Sequence, residues 1–191
     1  MRCKAGIIVV TFLLFAGLAA AQIPTGGNVF FGYTYYNTKL SVSNGSLNGW
    51  EASLEGKLFP LLGIVADVTG HYGTQQFSEP IACPVGVTAC GPGIGSASAH
   101  IYQAMFGPRL SVPVGKFRPF AEFEIGVGHV NNTNAFGFGS DTSFATAVGG
   151  GVDYKIVRPI AWRFQGDYVR TKFFSQTDNN LRLSTGIVFR F

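Results

Sequence analysis

The chain is short of charge. Asp, Glu, Lys and Arg make up 13% of its 191 residues, against about 25% in ordinary soluble domains. A water-facing exterior of usual composition needs more than that. Beyond its first two dozen residues the chain also lacks any apolar run long enough to cross a membrane as a helix. Residues 81–108 contain no Asp, Glu, Lys or Arg, but Gly91, Gly93, Gly95, Pro84 and Pro92 break them up. Cysteine is scarce: there are three, and the C-x6-C spacing of Cys83 and Cys90 has no companion ligands, which makes a poor zinc site. No G-x-S-x-G is present, and the glycine runs Gly91-Pro92-Gly93 and Gly149-Gly150-Gly151 lack the lysine of a phosphate-binding loop. These absences argue against a helical membrane protein, a zinc module, a serine hydrolase and a nucleotide-binding domain.

The amino terminus is built for export. Arg2 and Lys4 precede an apolar stretch from Ile7 to Leu18, and Ala19-Ala20-Ala21 stand before Gln22 as a small-residue cleavage site. Residues 1–21 are therefore expected to be a cleaved signal peptide, with residues 22–191 one domain. Cleavage removes Cys3 and takes Arg2 and Lys4 from the formal +4, leaving +2. That balance gives no reason to expect nucleic acid as a partner. Cys83 and Cys90, an even pair in an exported chain, are expected to form a disulfide.

What the remainder has in quantity is alternation. Eight segments place apolar and polar residues on opposite faces with period two, as strands do: 28–37, 48–58, 63–72, 100–112, 118–130, 142–154, 160–172 and 181–191. In the last, Leu181, Leu183, Thr185, Ile187, Phe189 and Phe191 face one way, and Arg182, Ser184, Gly186, Val188 and Arg190 the other. The connections alternate as well. Lys57–Pro60, Lys116–Pro119 and Lys155–Pro159 are tight, each with a lysine before and a proline after the reversal. The four near 38–47, 73–99, 131–141 and 173–180 are longer and rich in Asn, Ser, Thr and Gly. An even number of amphipathic strands with short turns at one end and long loops at the other fits an all-β fold, an eight-stranded antiparallel up-and-down transmembrane β-barrel.

A soluble lipocalin-like barrel would turn the same apolar faces inward. An eight-stranded tube has room only for filling side chains or one small ligand. Here the apolar faces carry Trp50, Phe106, Phe123, Phe144, Trp162, Phe164 and Phe189, whereas the polar faces are full of small residues. Bulk outside and small residues inside favour the membrane barrel. Its lumen would then collect Glu51, Glu55, Asp67, Glu122, Glu124, Asp153 and Asp167 with Lys57, Arg109, Arg163, Arg182 and Arg190, an ion-pair network that fills the tube. Arg163 is the base to test first, since its own strand also carries Asp167 and the Glu122/Glu124 pair supplies acids on another. The competing reading is a narrow channel for small solutes.

The export signal, the eight strands, the stretch PVGKFRPFAEFEIGVGHV (residues 113–130) and the terminal VFRF together resemble the small bacterial outer-membrane barrels, the group of the OmpA transmembrane domain, OmpX and the opacity proteins. The resemblance implies an outer-membrane location among phospholipid and lipopolysaccharide, and a monomer without cofactor. It also makes Phe189 and Phe191 of the closing strand the insertion signal that the barrel-assembly machinery reads. Interior acids occur in the OmpA barrel too, which favours a structural network over a pore. The implied role is structural or adhesive, through extracellular loops whose ligand the sequence does not name. Lipid A deacylases are also eight-stranded barrels, and carry His-x-Ser on a strand. Here His129-Val130-Asn131 has asparagine in the serine position, so no enzymatic activity is expected. His71, His100 and His129 all fall near the long-loop end, where they could approach one another, but no carboxylate or cysteine spacing supports a metal site there.

Overall fold

The computed structural model describes residues 26–40, 43–79, 93–133, 140–173 and 177–191; the expected signal peptide and both mature cysteines lie outside them. Eight strands follow in chain order: β1 (Gly27–Leu40), β2 (Ser43–Lys57), β3 (Leu62–Glu79), β4 (Gly93–Ser111), β5 (Phe117–Thr133), β6 (Ser140–Lys155), β7 (Ile160–Thr171) and β8 (Asp178–Arg190). Each pairs antiparallel with its neighbour in sequence, and β1 pairs with β8 to close the barrel. The closing ladder sets Phe30 opposite Val188 and Phe31 opposite Ile187. Closure leaves no unpaired strand edge, which is the condition for a sheet in hydrocarbon.

The alternation read from the sequence is the alternation of the wall. Val29, Phe31 and Tyr33 point out from β1, while Asn28, Phe30, Thr34 and Tyr36 are buried inside. Around the circumference Phe31 (64% exposed), Phe106, Phe123, Phe144 (61%), Phe164 and Ile187 (44%) form an outward apolar band. Only a surrounding of lipid makes such a band favourable, because in water it would be one large sticky patch. Trp162 Nε1 donates to Thr185 Oγ1 at 2.8 Å and Trp50 Nε1 to Tyr72 OH at 3.4 Å, so these outward aromatics keep their polar atoms bonded against the wall.

Two expectations about the connections change. The stretch 73–99 is not a continuous loop: β3 and β4 continue in register from Gly73↔Ala99 to Glu79↔Gly93. Glycine lacks a side chain but keeps its ladder donor, so Gly93 and Gly95 pair where a proline would not. The three short turns are also less alike than their lysines and prolines suggest. Lys116 and Pro119 do not flank a reversal, because that turn closes through Val114–Phe117 with Gly115 at φ +62°. Positive φ is the reason for glycine there. Pro119 instead lies inside β5, and its carbonyl accepts from Val112 N at 3.0 Å. The third turn carries a cis Arg158–Pro159 bond, and Ile160 N donates to Val157 O at 2.7 Å. Gly26 and Phe191 lie beside one another at this short-turn end, where Gly27 N donates to Phe191 O at 3.0 Å.

Candidate functional site: the barrel lumen

A period of two places every second residue of each strand in the lumen, and the ladder register then decides which of them meet. Ten of the twelve charged residues expected inside are buried: Glu51, Glu55, Asp67, Arg109, Glu122, Glu124, Asp153, Arg163, Asp167 and Arg182. Lys57 and Arg190 sit at the short-turn mouth, partly open to solvent.

Three arginines follow one construction. Each stands directly opposite an acid on the neighbouring strand: Arg109 opposite Glu122, Arg163 opposite Asp153 and Arg182 opposite Asp167. The Nε of each donates to that acid, at 2.5, 2.7 and 2.9 Å respectively. The terminal nitrogens then reach onward. Arg109 Nη1 meets Glu55 Oε2 at 3.4 Å, Arg163 Nη2 meets Asn28 Oδ1 at 3.3 Å, and Arg182 Nη1 crosses the lumen to Asp67 Oδ2 at 2.7 Å. Directly opposite side chains lie close enough to hold the stem, and the planar fork serves a second partner. Arg163 therefore faces Asp153 and Asn28, not Asp167 and the Glu122/Glu124 pair; those belong to Arg182 and Arg109. Sequence alternation gives the face of a residue but not its height, and the slant of the ladders set these partners.

The charges are not evenly spread. Towards the short turns, Glu55, Glu122 and Asp153 meet Lys57, Arg109, Arg163 and Arg190. Lys57 pairs with Glu55 and donates to Ser111 Oγ at 2.5 Å, and Arg190 Nη2 reaches Asp153 Oδ2 at 3.1 Å. Midway, Arg182 alone faces Glu51, Asp67, Glu124 and Asp167. Glu51 is relieved by Ser184 Oγ at 2.5 Å and Gln165 Nε2 at 3.2 Å. Glu124 has no hydrogen-bond donor on either oxygen, and its nearest cation is Arg182 Nη2 at 3.6 Å. Removing that single guanidinium would leave four buried carboxylates with no cation among them.

Sequence reading put bulk outside and small residues inside, and that division is incomplete. Phe30 and Phe120 are buried against the guanidinium groups: Arg163 lies over both rings at 4.9 and 4.7 Å, and Arg109 over Phe120 at 4.7 Å. Towards the opposite end the lumen turns apolar, with Leu47, Ile101, Met105, Val130, Val169 and Phe173 packed together. Glycines on the wall make the room. A Cβ on Gly151 would stand 2.9 Å from the Phe120 ring, and one on Gly128 3.0 Å from that of Phe173. Tyr36 joins the polar and apolar levels: its hydroxyl accepts from Gln103 Nε2 at 3.2 Å and Asn180 Nδ2 at 3.0 Å. The inward position of Phe30 and Tyr36 was legible from parity, but their contacts with charged neighbours were not.

The histidines do not gather. His71 is buried in the lumen with its ring 4.5 Å from that of Tyr36. His100 packs on the outer face against Tyr72 at 5.3 Å, and His129 Nδ1 lies 2.7 Å from Thr142 Oγ1. Among the described residues no three His, Cys, Asp or Glu converge as metal ligands. His129 has Thr142 beside it, and Asn131, which offers an amide in place of a nucleophilic hydroxyl, is exposed.

No protein-family model matches the chain, and no curated protein sequence does. Solved structures match over nearly its whole length. Neisserial surface protein A is similar with a TM-score of 0.65 at 12% identity, over 86% of this chain and 97% of its own. Ail, the attachment invasion locus protein of Yersinia pestis, is similar with a TM-score of 0.55 at 14% identity, over 87% of this chain and 98% of its own, in a complex with the heparin analogue sucrose octasulfate. At these identities the likeness is one of fold: the chain has the architecture of the small outer-membrane barrels.

Proposed function

We propose that the protein is a bacterial outer-membrane barrel, exported by a cleaved signal peptide, that acts as a surface-interaction module through its long-loop end and whose lumen is closed by its own side chains. The observation that carries this reading is the combination of an outward apolar band with a lumen of buried, mutually paired charges. Such a wall needs lipid outside. Such an interior leaves the loops as the surface on which recognition can be varied without disturbing the scaffold. Ail, an attachment protein by its name, and Neisserial surface protein A share the fold, which favours an adhesive role over transport. The reading assigns no catalytic residue.

Two measurements test it. In a planar bilayer the wild-type barrel should stay near baseline, and large, stable, voltage-independent steps would replace this reading with a channel. Bacteria displaying the protein should adhere to cultured epithelial cells more than bacteria displaying a form deleted for residues 80–92. Equal adhesion would remove that segment from the proposed role.

A further inference from the structure

The short-turn rim carries a basic surface that the lumen network does not absorb. Asp153 stands opposite Arg163 on one side and opposite Arg118 on the other. Its two oxygens are taken by Arg163 and Arg190, and Arg118 Nε is buried without a hydrogen-bond partner. Arg190 spends one terminal nitrogen on Asp153 and keeps a buried, unpartnered Nε. Beside them, Lys155 and Arg158 border a cavity of about 270 Å³ between the β6–β7 turn and the end of β8. The described side-chain acids of this end, Glu55, Glu122 and Asp153, are all buried and already paired. Its apolar lining is Val157, Ile160 and Phe191, of which Val157 and Phe191 are exposed.

A cluster of cationic donors set against an outward apolar edge has the chemistry of an amphiphilic anion. We propose that this cavity binds the phosphate headgroup of an anionic phospholipid in the leaflet that meets the short turns. Lys155, Arg158 and Arg190 hold the phosphate, and Ile160 and Phe191 lie along the first carbons of an acyl chain. Lys155, Arg158 and Arg190 all line the cavity, and a phosphate accepts several charge-assisted hydrogen bonds at once. A soluble anion would have no use for the apolar edge, so the lipid is the occupant the site fits. The assignment rests on the membrane reading above.

The test uses the full chain with Trp50→Phe, which leaves Trp162 as the single tryptophan. Trp162 lies on the outer wall two residues beyond Ile160. Protease resistance of the barrel in phosphatidylcholine vesicles is checked first, and tests the membrane reading by itself. Trp162 fluorescence is then quenched with brominated phosphatidylglycerol or brominated phosphatidylcholine as the minor lipid. Phosphatidylglycerol should be preferred, with about a five-fold loss of preference for each base removed. Lys155→Ala with Arg158→Ala, neither of which is in the lumen network, should abolish the preference, while Arg170→Ala at the opposite end retains it. Equal quenching by the two lipids in the parent, or a preference that survives the double substitution, would overturn the site. Displacement of phosphatidylglycerol by millimolar inorganic phosphate would overturn the lipid as its occupant.

Discussion

Arg182 and Asp67 meet across the lumen: Nη1 of the arginine, on β8, donates to Oδ2 of the aspartate, on β3, at 2.7 Å. No ladder joins those strands, so this bond ties two separate parts of the wall. The same guanidinium holds Asp167 at 2.9 Å, and both Glu51 and Glu124 lie within 4 Å of it. It is the most connected charge of the interior.

Arg182→Met should therefore be the most costly single change in the lumen. Removing one partner of a buried pair costs about 3–5 kcal/mol, and here four carboxylates lose the same cation. Arg170→Met, on the exposed outer side of β7, should cost much less. Urea unfolding of the two variants in vesicles, followed by fluorescence, gives both numbers. Similar midpoints would mean that the network does not stabilise the barrel.

The pair Arg163 and Asp153 behaves differently on truncation. Arg163→Met alone strands Asp153 with Arg190 and should destabilise strongly. Arg163→Met combined with Asp153→Asn should recover much of the loss, because an unpaired charge is more costly than an absent pair. A double-mutant cycle measures the coupling; purely additive losses would show that the 2.7 Å contact carries none.

Register is tested on adjacent residues of β8. Ile187 faces out and Val188 is buried against Phe30 and Ala161. Ile187→Arg places a charge on the outward apolar band and should cost up to about 2–4 kcal/mol, the more the deeper it sits in the hydrocarbon. Val188→Thr should cost about 1 kcal/mol, since the hydroxyl enters a small apolar cluster without a partner. Equal costs at the two positions would place both side chains on one face.

Glycine spacing gives a sharper comparison. A Cβ on Gly151 would run into the Phe164 carbonyl and stand 2.9 Å from Gln165 Cα, whereas one on Gly166 meets only the tip of Leu183 at 3.3 Å. Gly151→Ala should lose roughly 1–3 kcal/mol through overpacking. Gly166→Ala should be near neutral, or stabilising by up to about 1 kcal/mol through the unfolded chain. Thermal unfolding monitored by gel mobility separates the two.

The expected bridge between Cys83 and Cys90 is a matter for intact mass. Protein from the cell envelope should gain two hydrogens on reduction. A ring so short would contribute roughly 2–3 kcal/mol in the chain-entropy account, most of it to the loop. Two free thiols would remove the bridge.

The alternation of the sequence determined the wall. Because side chains on a strand have a period of two, a face is a local property, and Phe31 could be placed outside and Glu51 inside without knowledge of any neighbour. The even number of segments and the alternating connection lengths then made an up-and-down barrel the economical closure, and Phe30 opposite Val188 confirms where it closes. The ends of the strands were less legible. Backbone pairing between Gly73–Glu79 and Gly93–Ala99 requires no periodic side-chain pattern, so a Gly- and Ser-rich stretch read as loop. What only the tertiary structure decided is height within the lumen. Which acid meets which arginine depends on the slant with which each ladder slides past the next, and that offset is written in no single strand. It sent Arg163 to Asp153, gave Arg182 four carboxylates, and placed the Phe120 ring between Arg109 and Arg163, where Gly151 leaves space for it.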